Sequence, residues 1–170
     1  MAADLFTFID LYSRALGTAS HILAKGAEHA AGLGVTEGEM LDEWRLIDDM
    51  QPLRFQLNVV GNFAQQWPAR VAGLPEPADF AEDLDVAGYR QAFEGARAFL
   101  ASITPEQVVG REEAPVTFAI GGTNNVTLPA RRWLTVFATT NLYFHLNTAY
   151  GILRSKGVPL GKVDLFSGGL

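Results

Sequence analysis

Apolar residues return at helical intervals in four long stretches of the chain and at alternate positions in one short stretch. From Asp4 to about His29, Leu5, Phe8, Ile9, Tyr12, Ala15, Leu16, Ala19, Ile22 and Leu23 recur every three or four residues, with Asp10, Arg14 and Lys25 between them. This spacing predicts a first amphipathic helix. Gly32 and Gly34 supply its stop, because glycine enters the left-handed conformation without a side-chain penalty. Thr36 followed by Glu39 is a capping-box pattern and predicts a short connecting helix before Trp44.

Leu53, Leu57, Val60, Phe63, Ala64 and Trp67 mark a second long helix, started by Asp49 and Pro52 and expected to kink or end at Pro68. After a turn at Gly73, Pro75 and Pro77, a third helix carries Leu84, Tyr89, Phe93, Ala96, Phe99 and Leu100, its acidic start suited to the helix dipole. Thr104, Pro105 and Gln107 predict a single capped turn. The period then changes to two. Val116, Phe118 and Ile120 alternate with Thr117 and Ala119, the Gly121–Asn125 cluster turns the chain, and Val126 and Leu128 return, which predicts a small β-hairpin.

The last helix is expected from Arg131 to Val158, opened by Pro129 and closed at Gly157 with Val158 as its hydrophobic cap. Leu134, Ala138, Asn141, His145, Thr148 and Ile152 share one stripe. Trp133, Val136, Phe137, Tyr143, Phe144, Tyr150 and Leu153 widen the apolar surface past half the circumference, which predicts burial by several partners. The remaining segment, PLGKVDLFSGGL, is expected to be an extended tail. These elements make an all-α antiparallel four-helix bundle with a small β-hairpin before the last helix, in one domain spanning residues 1–170.

Composition narrows the function classes. A chain of 170 residues with 48% hydrophobic content has the means to bury a real core. The net charge is -6 and the basic residues are scattered, which argues against a nucleic-acid partner or an anionic membrane surface. Cysteine is absent, so disulfides, thiolate ligands and cysteine nucleophiles are excluded, in keeping with a cytoplasmic setting. The start has acidic residues where a signal peptide has basic ones, so none is expected. The apolar run from Trp133 to Leu153 is interrupted by Asn141, His145 and Asn147, so it is expected to be a buried helix rather than a membrane span.

Two stretches, WRLIDDMQPLRFQ (Trp44 to Gln56) and NLYFHLNTAYGILRSKGVPLGKVD (Asn141 to Asp164), resemble an uncharacterised, domain-of-unknown-function branch of the DinB and YfiT-like superfamily. The resemblance implies an antiparallel four-helix bundle, often dimeric, in which many members hold a divalent metal with three histidines. One of these comes from the second helix and two, four residues apart, from the last. Some relatives use such a metal to activate a thiol cofactor. By position the last-helix pair falls on Asn141 and His145, and the second-helix position falls near Asn62 or Phe63, where histidine is absent. At most one ligand of three is kept, and a neutral asparagine oxygen is a poor substitute for imidazole nitrogen.

The residues themselves leave two readings of His145 open. It is either a structural imidazole satisfied by Asn62, Tyr12 or a trapped water, with Asn141 and Thr148 in its network, or a base or lone ligand facing a pocket. His29 suits a role at free carbonyls, and His21 is a second interior histidine able to pair with His145. The carboxylates Asp42, Glu43, Asp48 and Asp49 lack the ordered spacing of a calcium loop and read as caps or a solvated face, with Arg45 a partner for one of them. GGTNN lacks the lysine of a phosphate loop.

The expectation from the sequence is a cytoplasmic small-ligand-binding or structural homodimer without an intact three-histidine centre. Its ligand-binding residues would be His145, Asn141, Asn62 and Tyr143, no cofactor is assigned, and no catalytic residue is named. The alternative is a divalent-metal-dependent hydrolase or thiol transferase using His145 as ligand.

Overall fold

The computed structural model describes residues 4–169. The Asp4 carboxylate accepts from the Phe6 amide at 3.1 Å and starts helix α1 (Leu5–Gly32), which Gly34, at φ 74°, closes beyond Leu33. Helix α2 (Glu37–Glu43) carries the complete capping box of Thr36 and Glu39. Helix α3 (Leu53–Ala72) follows a loop, and here the structure corrects the expected start. No side chain caps α3, and Asp49 is exposed. Its first amide, on Leu53, instead donates to the Trp44 carbonyl at 2.9 Å. Pro68 neither ends nor interrupts α3. The turn beyond it is held from outside, where Arg111 Nε donates to the Val71 carbonyl at 2.6 Å and the guanidinium lies over Gly73, at φ 68°.

Helix α4 (Val86–Ser102) begins at Asp85, whose carboxylate accepts from the Gly88 amide at 2.7 Å, and buries Tyr89, Phe93, Ala96 and Leu100 along one stripe. The single turn α5 (Pro105–Val108) leads to strands β1 (Pro115–Ile120) and β2 (Asn124–Pro129), antiparallel with Val116 opposite Leu128 and Phe118 opposite Val126. The hairpin is pinned to the bundle through Trp133, whose indole donates to the Val116 carbonyl at 2.8 Å, and through Phe118, which packs edge-on against Trp67 and Trp133.

The last long helix has three parts: α6 (Ala130–Arg132), a π-helical segment (Trp133–Ala138) and α7 (Thr139–Ser155). Within the π segment the Leu134 carbonyl accepts from the Thr139 amide five residues on, and also from the Tyr12 hydroxyl at 3.0 Å and the Thr139 hydroxyl at 2.7 Å. Val158 N–H donates to Leu153 O at 3.1 Å and Gly157 adopts φ 89°, the Schellman ending the sequence predicts. Together α1, α3, α4 and the last helix form an antiparallel four-helix bundle, whose core is one cluster running from Leu5 to Leu160. Burial of the last helix on nearly every side is not what the fold adopts: Val136 and Phe144 are 59% and 58% exposed, because α3 and α1 cover only the other faces.

The tail is not extended. Residues Lys162–Phe166 form a 3-10 turn against α1. Asp164 organises it, accepting from the Gly161 amide at 2.6 Å, His21 Nε2 at 2.7 Å and Lys25 Nζ at 3.0 Å. These bonds hold its carboxyl far below the usual carboxylate range, the Gly161 amide contributing most. Thr18 completes the clasp, donating to the Leu165 carbonyl and accepting from the Gly168 amide. A Cβ on Gly17 would lie 3.0 Å from Gly168 Cα, so the missing side chains let the tail approach α1 closely. No described helix is long and apolar enough to cross a membrane.

Candidate functional site

His145 is the residue on which the sequence concentrates. It is half-buried on α7, and its Nδ1 lies 2.7 Å from Gln56 Oε1 of α3. Gln56 is 3% exposed, and its amide nitrogen donates to the Gln51 carbonyl at 3.0 Å, so the oxygen is the end that meets the imidazole. An amide oxygen only accepts, so Nδ1 carries the proton and Nε2 keeps its lone pair. Burial lowers the imidazole's pKa and favours the neutral ring. Phe55 and Phe144 present ring edges to it at centroid distances of 5.8 and 5.0 Å.

The other positions do not join it. Asn141 donates to the Phe137 carbonyl of its own helix at 2.8 Å. Asn62 accepts the Phe80 amide at 2.8 Å and ties the α3–α4 connection down. Phe63 packs among Trp67 and Phe137. The partner of His145 is therefore neither Asn62 nor Tyr12, whose hydroxyl is committed at the π segment, and Thr148 donates to the Phe144 carbonyl instead. His21 is engaged by Asp164, and His29 Nε2 meets the Lys156 carbonyl at 3.1 Å, at the end of the last helix rather than of its own. Asp42 pairs with Arg54, while Arg45 donates to the Asp42 and Glu43 carbonyls rather than to a carboxylate. Among the described residues no three His, Cys, Asp or Glu side chains converge as a metal-binding group. The superfamily's metal does not fit this donor set: of the three positions only His145 offers an imidazole, the Asn141 amide is turned to its own backbone, and at the second-helix position the Asn62 oxygen is spent on Phe80 and Phe63 is a packed aromatic ring.

Tyr143 lies on a different face of α7, in a cleft of about 560 Å³. Three elements build it: α1 through Asp10, Leu11, Arg14 and Ala15; α7 through Tyr143, Leu146 and Asn147; and the docked tail through Leu165 and Phe166. The tail wall explains why sequence reasoning missed the cleft, since it requires Asp164 to find His21 and Lys25 across more than a hundred residues. Asp10 and Arg14 of this lining pair at 2.7 Å with i,i+4 spacing on α1. Burial raises the Tyr143 pKa, so its hydroxyl stays protonated. Of the four residues named from the sequence, Tyr143 lines this cleft and His145, Asn141 and Asn62 do not.

The chain is similar in fold to the crystal structure of a DinB family member from Shewanella denitrificans, with a TM-score of 0.79 and 27% identity over 95% of this chain and 90% of that one. No curated protein matches it. The model of the family described as Domain of unknown function (DUF1993) matches residues 6–166. The protein is a DinB-like four-helix bundle and belongs to the DUF1993 family.

Proposed function

We propose that this protein is a small-molecule-binding bundle that works without a three-histidine metal centre and takes its ligand in the cleft between α1, α7 and the C-terminal turn. One observation carries the reading. The cleft joins an apolar wall of Leu11, Leu146, Leu165 and Phe166 to a polar edge of Asp10, Arg14, Tyr143 and Asn147, and its volume suits a small ligand. The reading is supported on the other side by the spent donors around His145, which leave the imidazole nitrogen outside any group of three His, Cys, Asp or Glu side chains among the described residues. The homodimer implied by the resemblance belongs to the same reading, with Val136, Phe144 and Phe55 as its exposed apolar strip.

The test combines elemental analysis of untagged protein, purified without chelator and soaked in zinc, nickel and manganese, with a fragment screen read by amide chemical shifts. Metal far below stoichiometric, with shifts confined to α1, α7 and residues 162–169, is the expected result. Near-stoichiometric metal that is lost in His145→Ala would return the metal-dependent hydrolase or thiol transferase to first place.

A further inference from the structure

The cleft's chemistry narrows the ligand, given the binding reading just stated. Its described lining carries two charged side chains, Asp10 and Arg14, and these already hold each other at 2.7 Å. A ligand carboxylate or phosphate approaching Arg14 meets the Asp10 carboxylate beside it, and an ammonium approaching Asp10 meets the guanidinium. Neither charge is well served.

The hydrogen-bonding capacity left over is neutral. Thr18 is used up by the Leu165 carbonyl and the Gly168 amide. Tyr143 and Asn147 stand one turn apart on α7 and both line the cleft, and among the described residues neither side chain has a hydrogen-bond partner. A phenol and a primary amide together offer donors and acceptors in both directions. Leu146, Leu165 and Phe166 line the same cleft. We propose that the ligand is an uncharged amphiphile whose head both donates and accepts hydrogen bonds, as a primary carboxamide does, and whose short alkyl or aryl body lies against Leu146, Leu165 and Phe166. Tyr143 and Asn147 hold the head, and the docked tail covers the body.

The experiment titrates hexanamide, hexanoate and hexylammonium, three probes sharing one hydrocarbon body, into the isotope-labelled full chain near neutral pH and follows the amides of residues 143–147 and 165–166. Hexanamide is expected to bind about tenfold more tightly than either charged probe, the scale of one or two net hydrogen bonds against an unpaired charge. Tyr143→Phe and Asn147→Leu should each remove much of that preference, about three- to tenfold, while the rest of the spectrum stays in place. Equal affinity for all three probes, or a preference for either charged one, overturns the head-group assignment and leaves the cleft a binding site. Failure of every probe to move these amides overturns the assignment and the binding reading together.

Discussion

Removing the His145 imidazole tests whether this residue is held for structure. In His145→Ala the buried Gln56 keeps its bond to Gln51 and loses the group facing its oxygen. An unsatisfied buried acceptor costs about 1 to 3 kcal/mol. His145 is only half-buried, so water enters the vacated space and the lower end, about 1 kcal/mol, applies. The ring edges of Phe55 and Phe144, 42% and 58% exposed, add about 0.5 kcal/mol. The total is about 1.5 kcal/mol, and with a slope near 2 kcal/mol/M it moves the urea midpoint down by about 0.7 M. Gln56→Leu combined with His145→Ala should recover part of this, because both polar partners leave together. The pH dependence has a fixed sign. The unfolded imidazole titrates near 6.5 and the folded one lower, so the unfolded state binds more protons between the two values. The native protein therefore loses stability as pH falls below about 6.5, while the variant lacks this loss, and the gap between them narrows toward pH 5. A midpoint unchanged at pH 7.5, with no coupling to Gln56, would refute the structural assignment of His145.

Two further predictions concern the clasped tail. A methyl group on Gly168 would overlap the Arg14 backbone carbonyl, which no side-chain rotation relieves. Gly168→Ala should therefore lift residues 162–169 and speed their amide exchange, whereas Gly32→Ala, with open space around it, should not; protection unchanged in both would mean that the tail does not dock as described. The second is Asp164→Asn. The depressed carboxyl pKa contributes stability that is present above the ordinary value near 3.8 and is lost as pH falls through the lower folded one. The native tail should thus stay protected through mild acid, and the variant should show faster tail exchange already at neutral pH, read by hydrogen–deuterium exchange.

What the sequence made legible was local. The Thr36–Glu39 box, the Gly157–Val158 ending and the alternation through Val116, Phe118 and Ile120 each depend on neighbours a few residues away. The misses are contacts between distant segments. Arg111 supports the turn after Pro68 from 40 positions away, Tyr12 reaches Leu134 across 122, and Gln56 meets His145 across 89. Periodicity places each of these residues on a face and is silent about which atom it meets. The tail shows the same limit, because its glycines and polar residues look like linker chemistry until His21, Lys25 and Thr18 are set beside them.

The two faces of α7 carry the functional argument. On the face toward α3, the position where the superfamily places a second-helix histidine holds asparagine or phenylalanine, and the polar groups nearby are paired within the protein: His145 with Gln56, Asn141 with Phe137, Asn62 with Phe80. A satisfied polar layer of this kind needs no ion to offset buried charge, because it contains none. On the face toward α1, Tyr143 and Asn147 retain hydrogen-bonding capacity beside an apolar wall that the tail supplies. With polar groups spent on one side of the helix and open on the other, the binding we propose belongs to the open side. It follows that substitutions at Tyr143 and Asn147 should alter what the protein binds, and those at His145 and Gln56 chiefly how firmly it folds.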